Sequence, residues 1–237
     1  MGIQFFVTDA LRFTHTSMGK TFIDGMESHI ELDGFTARHY DRLMDILSFG
    51  LYPRFITSAM KSLGTRPGDR ILDLGCGTGR NLSILYSLNG GQGSYHGIDI
   101  GEDMLNQARQ RFRGKENVAV LNASILETLP FDQPFDHVTT SFVLHGFSHS
   151  QRLDIARQAH ASLRPGGTFS FLDWSPADPA DWPAWFRFFF RRVECPIAYD
   201  FIQHDYAADF EALGFRHLSI HPRIRGLARV VRLEKTS

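Results

Sequence analysis

The sequence predicts an α/β fold: a mostly parallel sheet with helices on both faces and an antiparallel hairpin at its C-terminal end. Three observations predict it. Apolar runs of strand length alternate with segments of helical periodicity through the middle of the chain, the pattern that makes parallel strands joined by right-handed crossovers. An apolar run ends in Asp73 and passes through Gly75-Cys76-Gly77-Thr78-Gly79 into a helical pattern, which reads as strand, tight turn and helix. After Gly214, two strand-like runs follow each other with no helix between them, so they should pair antiparallel.

Taken in order, residues 1–33 carry no clear pattern, and Thr14 to Lys20 is polar. Apolar positions Phe35, Tyr40, Leu43, Met44 and Leu47 suggest a helix closed by Gly50. Pro53 fits the first turn of a second helix that carries Phe55, Ile56, Ala59, Met60 and Leu63 and stops at Gly64. Arg66-Pro67-Gly68-Asp69 then turns into the first strand, Ile71 to Leu74. Further strands are expected at Tyr95–Asp99, Val118–Leu121, Phe135–Phe142 and Thr168–Leu172, and then at Phe215–His221 and Leu227–Leu233. Helices are expected over Asn81–Leu88, Glu102–Phe112, around Leu153 to Leu163, and over about Asp205 to Leu213. Residues 1–64 are thus set apart as an N-terminal helical segment, and 65–237 as the core, with 174–203 inserted between the fifth strand and the last helix.

Composition narrows the function. A chain of 237 residues with 43% hydrophobic content suits one α/β domain with decoration. The formal net charge of −1 offers no global field for nucleic acid or an anionic membrane. There are two cysteines, and Cys76 lies inside the glycine turn, which argues for a reducing compartment rather than a disulfide framework. Neither a signal peptide nor an 18-residue apolar run is read in the chain, so a cytoplasmic protein is expected.

The glycine turn is a cradle for a polar small molecule, because glycine tolerates positive φ and lets a ligand reach bare backbone. A phosphate loop needs Lys-Ser/Thr after the last glycine, and Arg80-Asn81 stands there. The dinucleotide fingerprint needs glycine where Arg80 lies. Asp73 argues against both, since a carboxylate beside the turn repels pyrophosphate and suits a cationic amine.

Asp73-x-Gly75-x-Gly77-x-Gly79, followed by Asp99 at the end of the second strand, resembles the class I S-adenosylmethionine methyltransferases. Phe135-Asp136-His137-Val138 through Val143-Leu144-His145, Leu163-Arg164-Pro165-Gly166-Gly167-Thr168 and the terminal hairpin are similar to the same family, so the resemblance spans roughly residues 36–235. Tyr40-Asp41-Arg42-Leu43-Met44, Leu47 to Arg54 and Pro67 to Asp73 look like the ubiquinone/menaquinone-biosynthesis (type 11) branch; bacterial phospholipid N-methyltransferases look similar. The resemblance implies a Rossmann-like seven-stranded sheet of order 3-2-1-4-5-7-6, with S-adenosyl-L-methionine as cofactor. The N-terminal segment would cover the cofactor, and the 174–203 insertion would lie on the substrate side.

By the same resemblance, Asp73 would hold the methionine amino group and Gly75, Gly77 and Gly79 its backbone cradle. Asp99 would take the ribose hydroxyls, and Ile100 and Met104 would pack on the adenine. Tyr40 would cover the sulfonium, where an aromatic face stabilises a cation, and Ser141 would lie near the methionine moiety. The family usually ends its third strand with Asp; alignment puts Ser124 there, a weaker acceptor for the adenine amino group. Ile125 would add a backbone contact.

Methyl transfer from a sulfonium requires alignment and exclusion of water rather than a metal or covalent nucleophile. His145, just past the fourth strand, is the candidate base, with structural packing as the alternative. His145 and His149 invite a metal reading, but Gly146 and Ser148 suggest a loop and no third ligand is near in sequence, so no metal is expected. Cys76 reads as inert packing.

Asp181 to Arg192 is rich in aromatics, with Asp181 as a candidate helix cap and Pro183 in the first turn. Trp182, Trp185, Phe186 and Phe189 could roof an apolar acceptor, residues 182–192 could touch a membrane periphery, or the helix could be buried or form a homodimer contact. Arg216, Arg223, Arg225, Arg229 and Arg232 read as a solvated sheet edge. The fourth strand leads into Ser141-Phe142-Val143-Leu144 rather than Asn/Asp-Pro-Pro-Tyr, against nucleic acid. The expected activity is methylation of a small apolar or amphiphilic, quinone-precursor-like acceptor. Phospholipid N-methylation, or a non-catalytic member acting through a protein partner, are the alternatives.

Overall fold

The computed structural model describes residues 18–23, 26–32, 51–193, 196–223 and 226–236; the side chains of 18–32, 51, 185, 189, 191–193 and 196 are not among those described. The helix expected from Phe35 to Leu47, Tyr40 included, lies outside the described residues.

Two short strands, β1 (Met18–Ile23) and β2 (Met26–Leu32), form an antiparallel hairpin. The core begins with helix α1 (Leu51–Lys61) and continues with β3 (Arg70–Leu74), α2 (Arg80–Leu88), β4 (Ser94–Asp99), α3 (Glu102–Arg111), β5 (Val118–Asn122) and β6 (Phe135–Ser141). It goes on through α4 (His149–Ser162), β7 (Leu163–Trp174), α5 (Ala184–Val193), α6 (Pro196–Ile202), α7 (Ala207–Ala212), β8 (Phe215–Arg223) and β9 (Ala228–Lys235).

The large sheet has seven strands in the order β5-β4-β3-β6-β7-β9-β8, which is 3-2-1-4-5-7-6 when its strands are numbered alone. The first five in sequence run parallel, and β9 enters antiparallel between β7 and β8. The α/β sheet with its terminal hairpin is therefore as the sequence predicts. The chain winds outward from β3 to β5 and returns to β6. The strand ends of β3 and β6 are thus the switch point where α/β sheets leave a crevice for ligands.

Period-two alternation divides the core between the two faces of the sheet. Leu72 and Leu74 of β3 pack with Val138, Phe169, Phe171 and the α4 residues Ile155, Ala156 and Ala159. Ile71, Tyr95 and Leu172 pack with Ile56, Ala59 and Met60 of α1, Leu82 and Leu85 of α2, and Leu105 of α3.

Several boundaries differ from the sequence reading. β7 runs on to Trp174, beyond the expected end at Leu172, because β9 pairs with it as far as Trp174↔Ala228. Ser148 and Gln151 form a capping box that starts α4 at His149, where a loop was expected. Asp178, not Asp181, provides the cap before α5: its carboxylate accepts the Ala180 N–H at 2.8 Å, over the 3-10 turn Pro179–Asp181. Pro183 precedes α5, and its carbonyl accepts the Phe186 N–H. α6 was not expected. Its short apolar run is buried through Ile197, Ala198, Phe201 and Ile202, a tertiary contact that no helical pattern of seven residues announces. The β1–β2 hairpin was not expected either, although Asp24-Gly25 between two runs is a strong hairpin signal. β2 runs beside α6 and the 3-10 turn Leu144–Gly146.

Candidate active site

The site is built at the C-terminal ends of β3, β4, β6 and β7. Past β3, the Gly75 and Cys76 N–H groups both donate to the Ile98 carbonyl at 2.9 Å, which ties the turn to β4. Gly75 has φ 72°, and a Cβ there would meet Val143 Cγ2 at 2.7 Å. The turn therefore packs against Val143, two residues past the end of β6, only because residue 75 is glycine. Gly77 differs: it has φ 52° with nothing within 4 Å of its Cβ position. That opening is where a ligand can lie on the backbone. Gly79 is the left-handed N-cap of α2. Cys76 is buried, and burial pushes its thiol well above its ordinary value, which suits inert packing.

Three side chains bear on what the cradle would hold. Asp73 is 1% exposed, yet neither carboxylate oxygen has a hydrogen-bond partner among the described residues. Burial, with the nearby charge of Asp99, raises its pKa to about 8. A buried carboxylate without a donor is costly, and a ligand ammonium would relieve it. Ser141 Oγ, at the end of β6, is also buried without a partner. Asp99, at the end of β4, accepts the Gly77 N–H through Oδ2 and the Gly101 N–H through Oδ1, each at 2.8 Å. Burial raises its pKa and these backbone donors lower it. The Ile100 backbone also donates to Asp99, and since a carboxylate has about four lone-pair sites, a ligand hydroxyl can still be accepted. The orphaned Asp73 carboxylate, the opening at Gly77 and the oriented Asp99 fit the amino-acid and ribose parts of S-adenosylmethionine.

Of the residues expected to line the adenine, Ile100 is 37% exposed after β4, while Met104 and Ile125 are buried. Ser124 follows β5 and its Oγ accepts the Leu126 N–H at 3.2 Å, closing a local turn. The hydroxyl expected to meet the adenine amino group is thus already engaged with backbone.

The other half centres on a pair that the sequence reading caught only in part. His145, in the 3-10 turn after β6, is joined through Nδ1 to Asp173 Oδ1 at 2.8 Å. Asp173 is buried near the end of β7, and it also accepts the Trp174 N–H at 2.8 Å and the His145 N–H at 3.3 Å. The reading missed Asp173. Its signal is the one that marked Asp73 and Asp99: an apolar strand ending in a carboxylate, here Phe169-Ser170-Phe171-Leu172-Asp173. Phe142, between β6 and His145, has φ 53°, a rare conformation for an aromatic residue. Strain of this kind persists only where surroundings hold it. The Phe142 N–H donates to the Leu172 carbonyl at 2.7 Å, and its ring lies 6.5 Å from His145, 5.5 Å from Trp174 and 6.3 Å from Phe55 of α1.

The ring contacts continue into the aromatic helix. Trp174 meets Phe190 at 5.5 Å, and Phe190 meets Trp182 at 4.9 Å and Tyr199 at 5.2 Å. Trp182 meets Phe186 at 4.9 Å. An unbroken series of rings therefore links His145 to Trp182 and Phe186. Phe190 is fully buried whereas Phe188 is 68% exposed, so α5 presents different aromatics to the core and to solvent. The side chains of Trp185 and Phe189 lie outside the described residues, as does Tyr40.

A protein-family comparison matches residues 71–167 to a methyltransferase domain. The demethylmenaquinone methyltransferase of Listeria welshimeri is 30% identical over 157 residues, 65% of this chain and 65% of that protein. The demethylmenaquinone methyltransferase of Staphylococcus aureus is 34% identical over 140 residues, 59% of this chain and 57% of that protein. The chain thus matches less than two thirds of the length of these relatives. A crystal structure of an S-adenosylmethionine-dependent methyltransferase from Aquifex aeolicus covers 76% of this chain and 89% of its own, with TM-score 0.55 and 22% identity, a likeness of fold. No described helix is long and apolar enough to cross a membrane. The matched segment runs from the cradle strand to the turn of β7, and over that segment the chain is similar to the S-adenosylmethionine-dependent methyltransferases.

Proposed function

We propose that this chain transfers a methyl group to a small, planar, apolar acceptor whose reacting hydroxyl or ring carbon must lose a proton, as in a quinone precursor. The observation that carries the reading is the His145–Asp173 pair at one end of a continuous series of aromatic rings. A neutral amine acceptor needs no such pair, and a flat apolar ring is what aromatic side chains select. The relatives named for demethylmenaquinone methylation support the same acceptor class.

S-adenosylmethionine supplies, when bound, a methyl group already activated on a sulfonium. The residues of the chain do the rest. Asp73 holds the amino group, Asp99 the ribose, and Gly77 leaves room against the backbone. Asp173 accepts the Nδ1–H of His145, which makes Nε2 the basic nitrogen, and it stabilises the imidazolium once that nitrogen takes the acceptor's proton. The Trp174 and His145 N–H groups fix the carboxylate of Asp173. Phe142, Trp174, Trp182 and Phe186 exclude water and hold the acceptor ring in line with the methyl group. Exposed Phe188 and Arg187 on α5 would favour shallow contact with a membrane that stores such an apolar acceptor.

The test is transfer of labelled methyl to short-chain hydroquinones and to phosphatidylethanolamine vesicles, side by side. Label on the hydroquinone supports the reading. Label on the lipid alone replaces it with phospholipid N-methylation. Cofactor binding without transfer to either points to a non-catalytic member.

A further inference from the structure

A second cluster lies outside this machinery. His149, the first residue of α4, meets His204, which follows α6, and Asp209 of α7. One ligand atom from each residue falls within 4.8 Å of the others. We propose that these three side chains form a binding site for a transition-metal dication of the zinc type, which clamps α4 to the α6–α7 segment.

The donor set argues for that chemistry. Two imidazoles and one carboxylate suit zinc and its neighbours, while magnesium and calcium prefer all-oxygen sites. The carboxylate is already in place, with His204 Nε2 2.8 Å from Asp209 Oδ2. Metal–nitrogen bonds are about 2.0–2.1 Å, so the donor atoms, within 4.8 Å of one another, would close in around a shared ion. A tetrahedral ion would keep a fourth position for water.

The cluster is also held from behind, as metal ligands usually are. The Tyr206 ring is stacked on His149 at 5.6 Å and lies 4.6 Å from His204. Tyr206 is buried, and its hydroxyl accepts from Arg152, which is itself fully buried. Arg152 also donates to the Leu144 and Ile197 carbonyls at 3.0 Å and pairs with Asp200, so its charge is compensated. The Ser148–Gln151 capping box fixes the start of α4 and with it His149. His204 remains 44% exposed, which leaves a path for an ion. In sequence, His145 and His149 have no third ligand near them. The chain brings that ligand, and a better-placed second histidine, from more than fifty residues away.

The experiment uses the full chain freed of metal by a chelator and then dialysed. Zinc is titrated by calorimetry, and cobalt is followed by its visible absorption. One zinc per chain and a cobalt spectrum of a nitrogen-containing site are expected. The melting temperature should rise by about 5–10 °C at free zinc about a hundred times the dissociation constant. His204→Ala and Asp209→Asn should each weaken binding by at least about a hundredfold while retaining the metal-free melting temperature, since loss of even an outer-shell partner typically costs 10–100-fold. Zinc binding of equal affinity in wild type and both variants, or no stoichiometric binding in wild type, would overturn the proposal.

Discussion

The proposed cofactor half and the proposed acceptor half of the site are built from different materials. At the ends of β3 and β4 the site is mostly backbone: the turn around Gly77, the N–H groups on Asp99, and a carboxylate, Asp73, without a partner among the described residues. All of it comes from residues 73–104, a contiguous piece of chain. At the ends of β6 and β7 the site is mostly side chain. His145 depends on Asp173, 28 residues away, and Phe142 depends on Trp174 and on Phe55 of α1. A backbone cradle serves an unvarying ligand and can be written as a short motif. A wall of side chains can be retuned for another acceptor by changes in distant segments, and so it has no short motif.

The largest effect is expected at His145. His145→Ala should lower kcat by about 10²–10⁴-fold with cofactor affinity unchanged by calorimetry. Asp173→Asn should follow it, and the double variant should be little worse than the poorer single one, because the two act as a unit. Wild-type turnover in His145→Ala would demote the pair to packing. Next in size, Asp99→Ala should weaken cofactor binding by about 10–100-fold, since hydrogen bonds to a charged group contribute about 1.5–3 kcal/mol. Unchanged affinity would overturn the assignment of the β4 carboxylate.

A smaller effect appears as protons. The Asp73 pKa is raised from 3.8 to about 8. The cofactor-free fold therefore holds a proton that the unfolded chain releases above pH 3.8. The stability this contributes is complete below 3.8 and is lost as pH rises through about 8. An ammonium beside Asp73 favours the carboxylate, so cofactor binding near pH 7 should expel up to about one proton. Calorimetry in buffers of different ionisation enthalpy reads that release, and Asp73→Asn should abolish it. Equal proton release in the variant would place the titrating group elsewhere. Smallest of all, Ser124→Asp should tighten cofactor binding a few-fold, about the difference between a hydroxyl and a carboxylate acceptor. A loss of affinity would show that the residue after β5 does not face the adenine.

The sheet and its terminal hairpin were legible in the amino-acid sequence, as were the residues proposed to hold the cofactor. Those depend on local rules: strand-length apolar runs, glycine where φ must be positive, and carboxylates at strand ends. Asp173 obeyed the same rule as Asp73 and Asp99 and could have been found by applying it once more to β7. Asp24-Gly25 and the Ser148–Gln151 box were equally local signals that the reading passed over. The rest came from packing between segments distant in the chain. It buried Asp73 away from every described donor, drove Phe142 into a conformation its side chain resists, and set Phe190 against Trp174 while leaving Phe188 to solvent. It also buried Arg152 among α4, α6 and α7, and so brought His149 to His204 and Asp209. Each of these depends on contacts between segments far apart in sequence, where no periodicity or spacing records which side chains will meet.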